Sequence, residues 1–429
     1  MRATKHSGVD WLGDVPETWG TTPLRTLMKL RTERNTAYQS ANYLSLMANI
    51  GVIPYAEKGD IGNKAPEDLG KCKIVYEGDF VLNSMNFGIG SFGVSAYNGI
   101  CSSVYVVMQP RLDKVSPPFL RYIFTMQPFQ KHVQSLGNGI LEHRAAIGWD
   151  ELKNIGFPMP PKEEQQAIAD FLDRETAQID TLIAEQETLI RTLEERRGVM
   201  IREAVTVGIR GLVKMQDTEI PWVGPVCATW KIAPLKYLAT TGAGAGFPIE
   251  EQGVLDEPIA FIKVNSLGRS NSEGIIQEFD DTVSIETAAR LGAKVYPPET
   301  IVLAKIGAAL LLGRIRQLAV ESCVDNNMMA VTARMGTSAR YLFYVLNLIQ
   351  FERIVNPGAV PSTSESAVKN LKFPFPEFPE QIAIANYLDV ETRKLDTIVE
   401  TTREVVSVLQ QRRRSLISAA VTGKIKVAS

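Results

Sequence analysis

Two glycine strings and one acidic–basic triplet are the places where residue type and spacing suggest chemistry. Gly88-Ile89-Gly90-Ser91-Phe92-Gly93 has the GxGxxG spacing that lets a backbone approach a pyrophosphate. Such a site also needs a following helix whose N-terminus faces the phosphates; Val94-Ser95-Ala96-Tyr97 and a further turn follow instead. Gly242-Ala243-Gly244-Ala245-Gly246-Phe247 misses the last position of the pattern. Glu151-Leu152-Lys153 has the ExK spacing of some nuclease sites, but Ala367-Val368-Lys369, the corresponding residues of a second copy, lack the carboxylate. A helix start or a surface position is the better reading. There is no GxxxxGK[ST] loop for ATP hydrolysis and no Asn/Asp-Pro-Pro-aromatic tetrapeptide of the amino-methyltransferases. His6, His132 and His143 have no metal-ligand spacing. Cys72, Cys101, Cys227 and Cys323 lie far apart without a CxxC pair and read as reduced thiols of a cytoplasmic protein. The expectation is a chain that catalyses nothing and holds neither metal nor cofactor.

The elements that would position any site are written twice. Trp11-Leu12-Gly13, Trp19 and Pro23-Leu24 recur 211 residues later as Trp222-Val223-Gly224, Trp230 and Pro234-Leu235. Lys153-Asn154, Glu164-Gln165, Leu172-Asp173, Glu175-Thr176, Asp180-Thr181 and Arg196-Arg197 recur 216 residues later, as do Ala204-Val205-Thr206. Between these blocks the halves barely resemble each other. A period this long marks duplicated domains, and divergence confined to the inserts suggests one scaffold presenting two recognition surfaces. Each insert reads as mixed α/β. Phe80–Leu82, Ser103–Met108, Ile259–Val264, Ile301–Ala304 and Met328–Val331 are rich in β-branched or aromatic residues and predict strands. Phe119–Phe124 and Tyr341–Leu346 predict short helices.

Phe157-Pro158-Met159-Pro160-Pro161 and Phe373-Pro374-Phe375-Pro376 stop the inserts, and a long helix starts after each. Positions 172, 179, 186, 193 and 200 are Leu, Ile, Gln, Leu and Met; their equivalents from 388 to 416 are Leu, Leu, Thr, Leu and Leu. Seven-residue spacing over four heptads predicts coiled-coil packing. Leu182, Ile183, Leu189 and Ile190 widen one stripe; Ile398, Val399, Val405 and Val406 widen the other. Gln186 and Thr402 occupy the same layer, either fixing register or tolerated there. A pseudo-two-fold axis between the copies makes the helices antiparallel. The expected fold class is α+β: two mixed α/β domains (1–158 and 211–374), each followed by a long helical region (159–210 and 375–429).

Apolar content of 45% and charged content of 22% are ordinary for a soluble protein of 429 residues. The most apolar run, Ile301–Ile315, is broken by Lys305 and Arg314 and spans no membrane. Net charge is −2, but residues 161–205 alone carry −5. Neither globular domain is strongly basic, so phosphate contacts must be local or shared with a partner.

The opening Trp-Leu-Gly-Asp-Val-Pro-Glu-Thr-Trp and the helix entry Pro-Pro-Lys-Glu-Glu-Gln-Gln-Ala-Ile-Ala-Asp-Phe-Leu-Asp carry a family resemblance. So do Pro-Glu-Gln-Ile-Ala-Ile-Ala-Asn-Tyr-Leu-Asp and the closing Ala-Ala-Val-Thr-Gly-Lys-Ile. With their duplicated order, the chain resembles the specificity subunit of Type I restriction–modification systems over essentially its full length. The one departure, Pro225-Val226-Cys227 against Asp14-Val15-Pro16, touches a local turn. The resemblance implies that each insert is a target recognition domain reading half of a split double-stranded DNA sequence. It implies paired helices that set the spacer and dock two methyltransferase subunits, with restriction subunits joining. S-adenosylmethionine, ATP and Mg would sit on those partners, and adenine N6-methylation would be directed with the base flipped out by the methyltransferase. A rival of another class is a scaffold or decoy that binds methyltransferase without reading sequence; a self-sufficient methyltransferase or nuclease lacks its motifs.

Base edges in the major groove are read by polar and basic side chains on exposed loops. The first insert offers Ser45, Asn83, Ser84, Met85, Asn86 and Ser91, with Asn138, His143 and Arg144 before the helix. The second offers Phe247, Lys263, Asn265, Lys305, Asn326 and Asn327, with Ser362, Thr363 and Ser364 in the equivalent pre-helix loop. Asn and Ser beside Gly also form plain turns. Lys263 and Lys305 interrupt apolar runs, which points to function. Arg196, Arg197, Arg412, Arg413 and Arg414 lie late on the helices and suit either the helix dipole or a partner.

Overall fold

The structure, a computed structural model, describes residues 2–427 except 60–63, 86, 88–89, 138–146, 212, 357 and 359. Two compact units are present: Met1–Gln186 with Val405–Ser429, and Glu187–Glu404. The division falls inside both long helices, so each unit takes one α/β insert together with a piece of each helix.

In the first unit an antiparallel sheet runs in the order Met28–Leu30, Tyr105–Pro110, Phe80–Asn83, Phe92–Val94. Phe80 and Leu82 point to one face and Val81 to a smaller satellite core, as strand alternation requires. The helices Pro117–Thr125 and Gln127–Ser135 cover the sheet. Their Phe124 and Phe129 meet Phe80, Phe87, Phe92 and Phe157 in an aromatic cluster with ring centroids 4.9 to 6.2 Å apart. The strand Gly20–Pro23 pairs with Gly156–Met159, bringing the start and end of the insert together. Gly93 belongs to the string that mimics a phosphate loop; a side chain there would strike the backbone of Gly51. It is a strand residue at a close backbone approach, and no helix follows it.

The second unit repeats the plan with a larger sheet: Ala239–Ala243, Met328–Ala333, Ile301–Ala304, Ile315–Leu318, Ile275–Ile276. A second sheet joins Thr282–Val283, Ile259–Ile262 and Ser322–Val324. The helix Ala339–Leu346 matches Pro117–Thr125, and Lys231–Pro234 pairs with Lys372–Phe375. Gly244 of the other glycine string lies against the carbonyls of Val324 and Asp325, where no side chain fits.

The long helices span Lys162–Thr206, 45 residues, and Phe378–Val421, 44 residues. Both are longer than the heptad run because they begin directly after the proline stops. Within the first unit Asp180 pairs with Arg413 at 2.8 Å, and Ile168–Leu172 shares a core with Ile417–Val421. Within the second, Arg197 reaches Asp396 at 3.0 Å and Glu194 reaches Arg403 at 2.8 Å. Numbers rise along one helix as they fall along the other, so the helices pack antiparallel in each unit. Asp180 and Asp396 are repeat equivalents, as are Arg197 and Arg413; one ion pair is made twice with the copies exchanged. Leu172, Ile179, Leu193 and Leu388 are buried in the seam. Leu182, Leu189, Ile398 and Val405, expected to widen the inward stripe, are instead exposed. A 3.6-residue helix carries those positions past the edge of a two-helix contact. Buried Thr402 answers its hydroxyl within its own helix, donating to the Ile398 carbonyl at 2.7 Å.

Candidate nucleic-acid interface

One end of the second unit's sheets gathers most of the residues proposed there. Strands Ala239–Ala243, Ile259–Ile262, Ile301–Ala304 and Ser322–Val324 all finish at this end, and Met328–Ala333 begins there. Lys305 N–H donates to the Asn327 carbonyl at 2.9 Å, and Thr363 N–H donates to the Lys305 carbonyl at 2.9 Å. Asn327 N–H donates to Asp325 Oδ1 at 2.7 Å, while Asp325 N–H donates to the Ile262 carbonyl at 3.0 Å. Lys305, Asn326, Asn327, Ser362 and Thr363 thus share one rim, with Lys263 beside it. Asn326 and Asn265 are exposed there. The Lys305 ammonium forms no ion pair among the described residues. Four candidates are occupied internally. Lys263 pairs with buried Asp281 at 2.6 Å and Phe247 stacks on Phe261 at 3.8 Å. Thr363 is buried, its hydroxyl on the Ile354 carbonyl. Ser364 caps the helix Glu365–Lys369, accepting from Ala367 N–H at 3.0 Å.

The first unit builds the same rim from different residues. Asn83 N–H donates to the Ser91 carbonyl at 3.0 Å, and Ser84 Oγ donates to the Val104 carbonyl at 2.9 Å. Ile147 N–H donates to the Ser84 carbonyl at 3.0 Å. Ile147 and Thr363 are 216 residues apart and make the same bond, so Ser84 and Lys305 occupy equivalent positions at the mouth of the two domains. Met85 is exposed; Ser91 and Ser45 are buried. Asn86, Asn138, His143 and Arg144 lie outside the described residues. Beside the rim is a cleft of about 500 Å³ lined by Ser45, Met85, Lys58, Lys64, Lys71 and Ser103 among others. The three lysines were not singled out from the sequence. Their spacing in an irregular stretch has no period, and only the fold gathers them. Lys58 stands over the Tyr55 ring and Lys71 faces Asp68 at 3.5 Å.

The repeated residues turn out to be the joints that hold each rim on its helix. Trp19 Nε1 donates to Glu164 Oε2 at 3.1 Å, and Trp230 Nε1 to Glu380 Oε2 at 3.1 Å. Gln165 accepts from Ser116 N–H and Gln381 from Ser338 N–H, at 2.8 and 2.9 Å. Tyr122 donates to Asp173 at 2.6 Å and Tyr344 to Asp389 at 2.7 Å, with Arg121 and Arg340 on the same carboxylates. Burial, more than the carboxylate, pushes the Tyr344 hydroxyl up to about 12. Sequence spacing revealed these residues as repeated; their tyrosine partners fall in the divergent inserts. Arg197 and Arg413 answer Asp396 and Asp180, whereas Arg196, Arg412 and Arg414 are exposed without an ion pair among the described residues.

The groups that spacing or residue type made conspicuous for chemistry have structural surroundings. Glu151 of the ExK triplet accepts from Gly148 N–H at 2.9 Å at a helix start. All four cysteines are buried, and burial lifts the Cys101 thiol to about 12 and the Cys323 thiol to about 11. No group of three or more metal-ligating side chains occurs among the described residues. No helix among them is long and apolar enough to cross a membrane.

Known proteins share this plan. Residues 16–191 match the Type I restriction modification DNA specificity domain. The putative type I restriction enzyme MjaX specificity subunit of Methanocaldococcus jannaschii is 21% identical, over 97% of this chain and 96% of its own. The MjaVIII specificity subunit of the same organism is 23% identical, over 96% and 94%. A chain from a structure of a type I R-M system, described for its complex assembly and conformational transition, superposes with a TM-score of 0.73 at 14% identity, covering 96% of this chain and 99% of that one. The resemblance to Type I specificity subunits thus extends from the opening tryptophans to the closing helix.

Proposed function

We propose that this chain, similar along its whole length to Type I specificity subunits, is the DNA sequence-recognition subunit of a Type I restriction–modification complex. Domains 1–158 and 211–374 each read one half of a bipartite double-stranded target. The helical regions 159–210 and 375–429 fix the spacer between the halves and carry two methyltransferase subunits, with restriction subunits added to that core. Exposed Arg196, Arg412 and Arg414 belong to that docking surface. The chain directs adenine N6-methylation and restriction and catalyses neither. S-adenosylmethionine, ATP and Mg belong to its partners, and the complex works on cytoplasmic DNA.

One observation carries this reading: equivalent positions at the two sheet ends, clamped by the same backbone bond, hold Ser84 in one domain and Lys305 in the other. A scaffold has no use for a repeated mounting with an altered tip, whereas a two-part reader needs one. Ser84, Met85 and the cleft lysines face one half-site; Lys305, Asn326, Asn327 and Ser362 face the other. Base edges carry the sequence information, while phosphate contacts set register. Near-neutral domains fit this division if methyltransferase supplies much of the phosphate binding.

The test is to map N6-methyladenine genome-wide in a host carrying the cognate methyltransferase gene, with and without this chain. A split motif methylated on both strands only when the chain is present is the expected result. No new motif, with methyltransferase expressed and bound to the chain, overturns the reading in favour of a scaffold.

A further inference from the structure

Away from the rim, the second unit contains a small polar cleft of about 250 Å³ lined by Arg197, Ser270, Ser272, Arg316 and Asn347 among others. Arg316 sits on the strand Ile315–Leu318, beside the loop that leads into Ile275–Ile276. Its Nη1 donates to the Ile315 carbonyl at 2.7 Å, but its buried Nε has no hydrogen-bond partner among the described residues. No ion pair among the described residues answers it either. The nearby carboxylates are taken: Asp396 faces Arg197, and Glu273 faces Arg393. Arg197 Nε is buried and lies 3.0 Å from Asp396 Oδ1 in an ion pair, with no further partner among the described residues. The Ser270 and Ser272 hydroxyls donate to no described group.

We propose that this cleft binds a single phosphate-class oxyanion between Arg316, Arg197 and the Ser270–Ser272 loop. A guanidinium offers donors in a planar fork that matches phosphate oxygens. Two guanidiniums and two hydroxyls line the cleft, a donor set that a phosphate with four oxygens uses more fully than a carboxylate with two. The volume lies below the roughly 300–1,000 Å³ of pockets that enclose whole small molecules, so the site takes one phosphate group and not a nucleoside. Burial and the neighbouring Arg314 and Arg197 charges all push against protonated Arg316; an anion relieves all three. Free phosphate and a phosphate of the DNA backbone share this chemistry, and only the second depends on the function proposed above.

The test is thermal unfolding of the full-length chain in sodium phosphate against sodium chloride at equal ionic strength. A saturable rise in Tm specific to phosphate is expected for the natural protein. In Arg316→Met the midpoint of that response moves at least tenfold higher in phosphate. Without phosphate the variant unfolds no lower than the natural protein, because a half-buried cation with no ion pair among the described residues has been replaced by an apolar chain of similar length. No phosphate-specific response in the natural protein, or an undiminished one in Arg316→Met, overturns the proposal. For the complex with methyltransferase, a log–log salt slope of DNA binding reduced by about 0.9 in Arg316→Met identifies a backbone phosphate. An unchanged slope, with the phosphate response lost, identifies a free ion.

Discussion

Lys305→Met separates reading DNA from holding the fold. Lys305 is tied into the rim through its backbone alone, by its N–H to Asn327 and its carbonyl to Thr363. Its half-buried ammonium forms no ion pair among the described residues. Removing the charge while keeping an unbranched chain leaves every one of these bonds in place. Stability should therefore change by less than about 0.5 kcal/mol, as for a substitution away from special features. DNA discrimination should change far more. A lysine on a base edge contributes about 1–3 kcal/mol of discrimination, roughly a 5- to 150-fold loss of affinity for the target with little change on unrelated DNA. The assay is equilibrium binding of the methyltransferase-bound complex to the mapped target and to variants of each half, at several salt concentrations. Under the proposed function, loss is confined to bases of the half assigned to 211–374. If binding instead weakens equally on all sequences and the salt slope falls by about one, Lys305 is a phosphate contact. In that case the assignment of this rim position to base reading is refuted.

The other predictions concern the joints and the buried groups. Tyr344→Phe removes a buried donor from Asp389, which keeps Arg340; about 1.5 kcal/mol of stability should go, some 3–6 °C for a unit of this size. Tyr122→Phe should behave alike, and calorimetry that finds either neutral rules out these hydroxyls as joints. Burial holds the Asp396 carboxyl above its ordinary range, with Arg197 opposing. A carboxyl raised in the folded state favours folding as pH falls from above its folded pKa towards its unfolded value, because the folded state then binds more protons. Asp396→Asn should therefore lose ground to the natural protein between pH 7 and pH 4 in Tm, and a parallel pair of pH curves contradicts the burial argument. The four buried thiols, two of them lifted to about 12 and about 11, should resist a thiol reagent at pH 8 until the protein unfolds. Labelling of the native chain within minutes would count against the packing of those sheets.

Where the sequence speaks through local physics, structure agrees with it closely. Phe80–Leu82, Ile301–Ala304 and Met328–Val331 are strands because their β-branched and aromatic residues suit a buried pleat. The proline stops set the helix starts. What spacing alone fails to supply is a partner. Lys263, conspicuous inside an apolar run, pairs with Asp281 from a neighbouring strand connection. Leu182 and Leu189 obey the period of the seam, yet a two-helix contact is too narrow to cover them. The Lys58, Lys64 and Lys71 cleft has no sequence signature, since its residues come from turns whose geometry depends on the whole insert.

The most telling correspondence was illegible for a further physical reason. The repeat offset is 211 residues at Trp19 and Trp230, 221 at Ser84 and Lys305, 222 at Tyr122 and Tyr344, and 216 at Gln165 and Gln381. Residues have been added before the sheet end and removed after the short helix, so no single alignment shift finds Ser84 opposite Lys305. Backbone hydrogen bonds find it, because they depend on strand geometry and not on side-chain identity. The buried tyrosines, glutamines and tryptophans of the joint tolerate little change. Loops outside it vary in length at small entropic expense. Such a division lets the rim change its side chains while its position on the helix stays fixed. That is the physical condition for altering one half of a split target without disturbing the other. Exchanging residues 20–155 for another recognition domain should accordingly change one half-site in the methylation map and leave the second half and the spacer intact. Change in both halves would mean that the joints transmit what they are argued to isolate.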